Sequence, residues 1–222
     1  MASPIAVIFD LDGTLIDSAP DIHATANKVF AAKGFPPFPF EVVRGYIGNG
    51  VGVLVTRLLQ HQGHAADGFL QVEMVADFIK IYEEAFDLTS LYPNVATALA
   101  DLSIAGHPLG ICTNKPVGPA RAALRRFGLD RYMQVVIGGD SLSERKPHPA
   151  PLQATLAHLG TRTAIFVGDS EVDAETANAA KLPFALFTEG YRKAEAQSLG
   201  AKLIFSDFRA LAGLVAHWSK QL

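Results

Sequence analysis

Short, unbroken apolar runs divide this chain, and they constrain its architecture more than any other feature. The first, residues 5–9, reads Ile-Ala-Val-Ile-Phe and stops at Asp10. A strand with one buried face alternates apolar and polar residues, whereas a continuous β-branched run fits a strand covered on both faces. Similar runs stand at 109–112, 135–137 and 164–167, with weaker ones at 184–187 and 203–205. Helical periodicity fills most of the intervals, at 95–105, 117–127, 150–159 and 173–180. A last helix is expected at 208–218, with Asp207 as its N-cap. Strands alternating with helices predict an α/β fold: an open, Rossmann-like parallel sheet with right-handed crossovers.

One interval breaks the alternation. Residues 17–88 show no strand pattern, only helical periodicity at 22–32, 40–46, 51–62 and 70–86, with Pro36-Pro37-Phe38-Pro39 as a rigid turn. The expected organisation is a catalytic α/β core built from 1–16 and 89–222, interrupted by an all-helical insert at 17–88. At 222 residues, 49% of them hydrophobic, the chain can bury one sizeable core and a smaller appendage.

Composition excludes several partners. A net charge of -3 gives no electrostatic reason to expect nucleic acid or a membrane surface. The single cysteine, Cys112, leaves no internal disulfide and reads as a small buried apolar residue. The segment from Met1 to Pro4 has no cationic region, and Asp10 and Asp12 interrupt the first apolar run far short of a signal peptide or membrane span. A cytoplasmic location is therefore expected.

Ligands of open α/β sheets bind beyond the carboxyl ends of the strands, and four of the expected strand ends carry complementary chemistry. The first is Asp10-x-Asp12-Gly13-Thr14, where Gly13 permits a turn that aims both carboxylates at one site. The second is Thr113-Asn114, able to bind phosphate oxygens through a hydroxyl and backbone N–H groups. The third, Lys146-Pro147-His148-Pro149, offers a cation on a stiffened backbone, with His148 read as structural. The fourth is Gly168-Asp169-Ser170-x-x-Asp173. Acids crowded at one mouth repel one another unless a cation joins them, and an oxygen-rich set without a thiolate cluster favours Mg²⁺ over zinc.

These four motifs, in this order and with an all-helical insert after the first, resemble the haloacid dehalogenase superfamily. The resemblance implies a phosphatase in which Asp10 is the nucleophile, forming an aspartyl phosphate, and Asp12 is the general acid and base. Mg²⁺ is then held by the carboxylates of Asp10 and Asp169 and the backbone carbonyl of Asp12, with Asp173 supporting a metal-bound water. Thr113, the Asn114 backbone and Lys146 neutralise the transferred phosphoryl group, and the insert acts as a cap over a small phosphorylated metabolite. A retained Asp12 suits phosphate esters, whose alkoxide leaving group needs a proton.

A finer resemblance is to the bacterial phosphoglycolate phosphatases. It rests on the stretches from Asp10 to Ser18, Gly45 to Gly50, Cys112 to Pro116, Val136 to Asp140 and Lys146 to Pro149. In the insert, Gly48-Asn49-Gly50 leads into a helix and offers bare N–H groups to a substrate anion, with Arg44 and Arg57 as flanking cations. The rival readings are another capped phosphatase or sugar-phosphate mutase of the superfamily and, from a different class, a phospho-accepting signalling domain. Oligomeric state is not legible in the sequence.

Overall fold

The computed structural model describes residues 4–66 and 68–221; the first three residues of the expected core, Asp67 of the insert and Leu222 lie outside the described residues. Six parallel strands form one sheet in the order β5-β4-β1-β6-β7-β8. They are β1 (Ala6–Phe9), β4 (Leu109–Cys112), β5 (Val135–Ile137), β6 (Ala164–Gly168), β7 (Phe184–Phe187) and β8 (Leu203–Phe205). Each apolar run of the sequence is thus a strand. β1 lies at the centre, with Phe9 beside Ile111 of β4 on one flank and Val167 of β6 on the other.

Burial on both faces explains the continuous apolar runs. Val7 and Phe9 face one cluster, packed against α5 (Val95–Ile104), α6 (Val117–Arg126) and α9 (Leu211–Trp218). Ala6 and Ile8 face the opposite cluster, which Leu152 of α7 (Ala150–His158) and Ala177 of α8 (Glu171–Ala180) complete. The core is therefore a three-layer sandwich, helices on both sides of a parallel sheet. The last helix is shorter than expected: Phe208–Ala210 forms a 3₁₀ turn, and Asp207 caps that turn by accepting from Arg209 N at 2.9 Å.

The insert contributes α1 (Ala19–Ala31), α2 (Phe40–Arg44), α3 (Val51–His61) and α4 (Phe69–Tyr82). Ile22, Ala26, Val29 and Phe30 recur on one face of α1, as a core-facing helix requires. They meet Leu54, Val55, Leu58 and Leu59 of α3 and Met74, Phe78 and Tyr82 of α4 in a hydrophobic cluster separate from the two beside the sheet. Helix α1 starts at Ala19, three residues before the periodicity, because Pro20 sits in its first turn, where its missing N–H costs nothing. Helix α4 ends at Tyr82 rather than residue 86.

Two short strands went unpredicted. β2 (Ile16–Asp17) and β3 (Ser90–Leu91) pair antiparallel where the chain enters and leaves the insert. Two-residue strands are below the length at which periodicity can be read. Asp21 secures the same junction, its Oδ2 accepting from Leu88 N, Thr89 N and Thr89 Oγ1 at 3.1, 2.7 and 2.6 Å. No helix among the described residues is long and apolar enough to cross a membrane.

Candidate active site

The parallel sheet carries β1, β4 and β6 to one edge, and the chain order reverses across β1, the position at which such sheets bind ligands. Asp10 follows β1 directly; its N–H donates to Val167 O at 2.9 Å, so the sheet register holds its backbone. Thr113 follows β4 and Asp169 follows β6. All three are buried, as are Asn114, Lys146 and Asp173.

The Asp169 carboxylate is held by two donors and packed between two glycines. Thr14 Oγ1 donates to its Oδ1 at 2.7 Å and Tyr191 N to its Oδ2 at 2.6 Å. Gly13, at a φ of 88°, makes the turn that the sequence predicts, and a Cβ there would come within 2.5 Å of Asp169 Oδ2. A Cβ at Gly190 would overlap the same side chain. Asp173 is committed differently. Its Oδ2 accepts from Asp169 N, Ser170 N and Ser170 Oγ, making a capping box with Ser170 at the start of α8, while Oδ1 accepts from Lys146 Nζ at 2.6 Å.

Lys146 Nζ also lies 3.0 Å from Asp10 Oδ1. That contact is an ion pair without hydrogen-bond alignment, so Asp10 Oδ1 is buried with no hydrogen-bond partner among the described residues. The Lys146 ammonium compensates its charge without an aligned bond, which leaves lone pairs of this oxygen open to a further ligand. Burial raises the Asp10 carboxyl from 3.8 to about 6; Lys146 pulls it down, and Asp173 adds to the rise. Burial also lifts the Asp169 carboxyl well above its ordinary value, with Asp173 and Asp10 acting in the same direction. For Lys146, burial disfavours the charge, but the carboxylates of Asp10 and Asp173 outweigh it and raise the ammonium above its usual range.

Asp10, Asp169 and Asp173 each offer an oxygen within 4.8 Å of the others. Three buried carboxylates, two with raised pKa and one with an orphaned oxygen, fit a hard divalent cation by charge and by donor type. Asp12 stands apart from this cluster. Its Oδ1 accepts from Ser18 Oγ at 2.6 Å and from Lys115 Nζ at 3.1 Å, which leaves its backbone carbonyl for any role at a metal.

The mouth is roofed by the insert. Asp10, Asp12, Thr113 and Lys115 line a cavity with Ile22, Ile47, Gly48, Gly50, Val51, Leu54, Phe78 and Tyr82. The space measures about 40 Å³ to the centre of a water-sized sphere, room for a few waters. Asn114 ties roof to floor, donating from Nδ2 to Gly48 O at 2.9 Å and to Lys146 O at 3.0 Å while its Oδ1 accepts from Lys146 N at 3.0 Å. Asn49 is not among the residues lining the cavity. The two arginines expected beside the glycine loop are engaged elsewhere. Arg44 donates to Gly190 O at 2.8 Å and covers the Tyr191 ring, and Arg57 lies 6.0 Å from the centroid of Tyr46. Cys112 is buried and its thiol is pushed up to about 12 by that burial, which makes it an inert packing residue. His148 is exposed and accepts only from Ala150 N, at 3.2 Å.

The family model for haloacid dehalogenase-like hydrolases matches residues 7–187, spanning every motif just described. The chain belongs to that family. Among relatives of the haloacid dehalogenase-like hydrolases, a phosphoglycolate phosphatase of Cereibacter sphaeroides (strain ATCC 17029) is 50% identical over 94% of this chain and 96% of its own length. One of Rhodobacter capsulatus is 46% identical over 96% and 98%. A crystal structure of a predicted phosphoglycolate phosphatase from Haemophilus somnus 129PT superposes with a TM-score of 0.90 at 30% identity, covering 97% of this chain and 99% of that one.

Sequence reasoning missed several residues of this hydrolase site. Gly190 and Tyr191 lie on the loop after β7, and the rule that chemistry gathers at strand ends, applied to that weaker run, points to them. Tyr191 also orders the insert's entry: its hydroxyl accepts from Ser18 N and Ala19 N at 2.8 and 3.0 Å and donates to Asp17 Oδ1 at 2.8 Å. Lys115 adjoins the Thr113-Asn114 motif in sequence, but nothing in the sequence shows that its side chain turns inward.

Proposed function

We propose that this enzyme is a Mg²⁺-dependent phosphoric monoester hydrolase acting on 2-phosphoglycolate through an aspartyl phosphate on Asp10. The observation that carries the reaction is the buried Asp10 carboxylate, with one orphaned oxygen, set between Lys146 and the Asp169–Asp173 pair. The substrate rests on the relatives named above and on the small size of the roofed cavity.

Asp10 attacks phosphorus, and the ester P–O bond breaks as the new P–O bond forms. Asp12, at the cavity edge, gives its proton to the leaving alkoxide. It then takes a proton from the water that attacks the aspartyl phosphate, releasing inorganic phosphate and restoring Asp10. Lys146 and Thr113 offset charge on the transferred phosphoryl oxygens. Asp10, Asp169 and the Asp12 carbonyl would hold Mg²⁺, which would supply charge neutralisation there, while Asp173 fixes Lys146 and the Asp169 backbone. Closure by the insert excludes water during the first transfer.

A panel of phosphate esters tests the substrate. The kcat/KM for 2-phosphoglycolate is expected to exceed that for hexose phosphates by more than about tenfold; the reverse order moves the enzyme to the sugar-phosphate branch. Sustained Mg²⁺-dependent turnover, lost in EDTA, separates a hydrolase from a phospho-accepting signalling domain.

The cation has its own test. In the folded, metal-free protein Asp10 holds its proton up to about pH 6, whereas unfolded it ionises near 3.8. A group with a raised folded pKa leaves stability intact below its unfolded pKa and removes it as pH rises through the folded one. Mg²⁺ binds the ionised form, so its stabilisation grows through that same interval. At 100 times its Kd a ligand adds about 2.7 kcal/mol, which for a chain of this size raises Tm by about 5–10 °C. That shift is expected near pH 7.5 and should shrink to a small fraction near pH 5; equal shifts at both would place the cation away from Asp10.

A further inference from the structure

Among the residues lining the cavity, Lys115 is the one cation, and no role in phosphoryl neutralisation falls to it: Lys146 is the lysine in contact with Asp10. Lys115 turns instead towards Asp12. Its Nζ donates to Asp12 Oδ1 at 3.1 Å and to Oδ2 at 3.4 Å. It also donates to the hydroxyl of Tyr82, and it sits 3.8 Å from the centroid of that ring. Tyr82 is the last residue of α4, buried in the hydrophobic cluster of the insert with its ring 5.6 Å from that of Phe78.

The chain of contacts therefore runs from the packed interior of the insert, through a hydroxyl and an aromatic face, to an ammonium, and from there to the carboxylate of Asp12. Asp12 is the only carboxylate of the four motifs that is not buried. Its side chain has two partners, the Ser18 hydroxyl and the Lys115 ammonium. A proton-transferring group must keep within hydrogen-bond reach of its target, and a misplacement of about 1 Å can cost about 10²-fold. A side chain held by one hydroxyl swings easily; an ammonium fixed by a ring and a phenol limits that swing.

We infer that Lys115 and Tyr82 are positioning residues for Asp12: Tyr82 anchors the Lys115 ammonium from the insert, and Lys115 aims the Asp12 carboxylate at the leaving-group oxygen. The inference rests on the reading of Asp12 as the proton-transferring group. It deepens that reading by making proton delivery depend on a residue of the helical roof. The effect on the first transfer is specific to esters that need a proton, and kcat/KM, which reports the steps through leaving-group departure, separates it from the later attack of water that Asp12 also serves. An alkoxide leaves poorly without one, whereas p-nitrophenolate leaves readily.

Three substrates separate the possibilities: 2-phosphoglycolate, 2-hydroxyethyl phosphate and p-nitrophenyl phosphate. The second keeps an alkyl leaving group but has no carboxylate. Lys115→Met is expected to lower kcat/KM by about 10²-fold on both alkyl esters, with a loss on p-nitrophenyl phosphate at least tenfold smaller. Tyr82→Phe, which keeps the ring and its packing, is expected to show the same pattern at about tenfold. A loss confined to 2-phosphoglycolate and expressed in KM would make Lys115 a carboxylate receptor and overturn the inference. Equal loss of kcat/KM on all three substrates would overturn it as well, since p-nitrophenolate leaves without the proton that Asp12 gives. If Lys115→Met does not fold, Tyr82→Phe decides alone, and parental activity on all three substrates rejects the inference. Failure of the substrate assignment is distinguishable: the parent enzyme would then ignore 2-phosphoglycolate, while 2-hydroxyethyl phosphate still reads the effect on Asp12.

Discussion

Asp10→Asn is expected to abolish turnover, with kcat lowered on the order of 10⁴-fold or more, the scale seen when a catalytic nucleophile is removed. The amide keeps the shape of the side chain but cannot form the acyl phosphate. Stability should move the other way. Asp10 is buried beside Asp169 and Asp173, and its carboxyl is raised to about 6 by that burial. Near neutral pH the parent therefore carries an ionised group in an unfavourable place, which the neutral amide removes. Metal-free Asp10→Asn should melt at or above the parent, and the Mg²⁺-induced rise in Tm should fall sharply. Acid-quenched reaction with labelled substrate should leave phosphate on the parent chain and none on the variant. Residual phosphorylation of the variant would assign the nucleophile to another residue, and a large fall in metal-free Tm would make Asp10 a structural group.

The second large effect is expected at Asp12. Asp12→Asn should lower kcat by about 10²–10⁴-fold, the range for loss of a general acid–base group, with phosphate affinity nearly unchanged. The structure adds a sharper expectation. The Asp12 carboxylate lies outside the cluster of Asp10, Asp169 and Asp173 and is held by Ser18 and Lys115. The Mg²⁺-induced rise in Tm should therefore persist in Asp12→Asn while it collapses in Asp10→Asn. Melting curves of the two variants with and without Mg²⁺ make the comparison, and equal collapse would place the Asp12 side chain on the metal.

Much of this architecture was legible because its signals are local. An apolar run such as 5–9 cannot be half exposed, so it announces a strand with two buried faces, and Val7 and Ile8 do face opposite clusters. The helical insert was visible in the same way, through the periodicity that brings Ile22, Ala26, Val29 and Phe30 onto one face of α1. What failed locally was short or irregular. β2 and β3 have two residues each and exist only through their pairing, and α1 starts early because Pro20 suits a first turn.

The candidate site divides along similar lines. Asp10, Thr113 and Asp169 follow strands and Lys146 directly precedes a proline, and those positions can be read along the chain. Arg44 stands near a glycine loop in sequence, and only the tertiary structure shows that the loop after β7 takes its guanidinium at Gly190 O. Asn114 is expected to serve phosphate through its backbone, and only the tertiary structure shows that its side chain joins the Lys146 backbone to Gly48 of the insert.

By itself, then, the sequence determined that this chain builds a doubly covered parallel sheet with a helical insert, and which side chains stand at the strand tips. Both follow from near-neighbour rules, the period of burial and the turn chemistry at Gly13. Only the tertiary structure decided how those side chains are shared out: three carboxylates and Lys146 into one buried cluster, and Asp12 into a separate contact with Lys115 and Tyr82. Residues 12, 82 and 115 are far apart along the chain, and no local propensity encodes the distance between an ammonium and a carboxylate. The pairing of β1 with β4 brings Lys115 to Asp12, and the packing of the insert onto the sheet brings Tyr82 to Lys115.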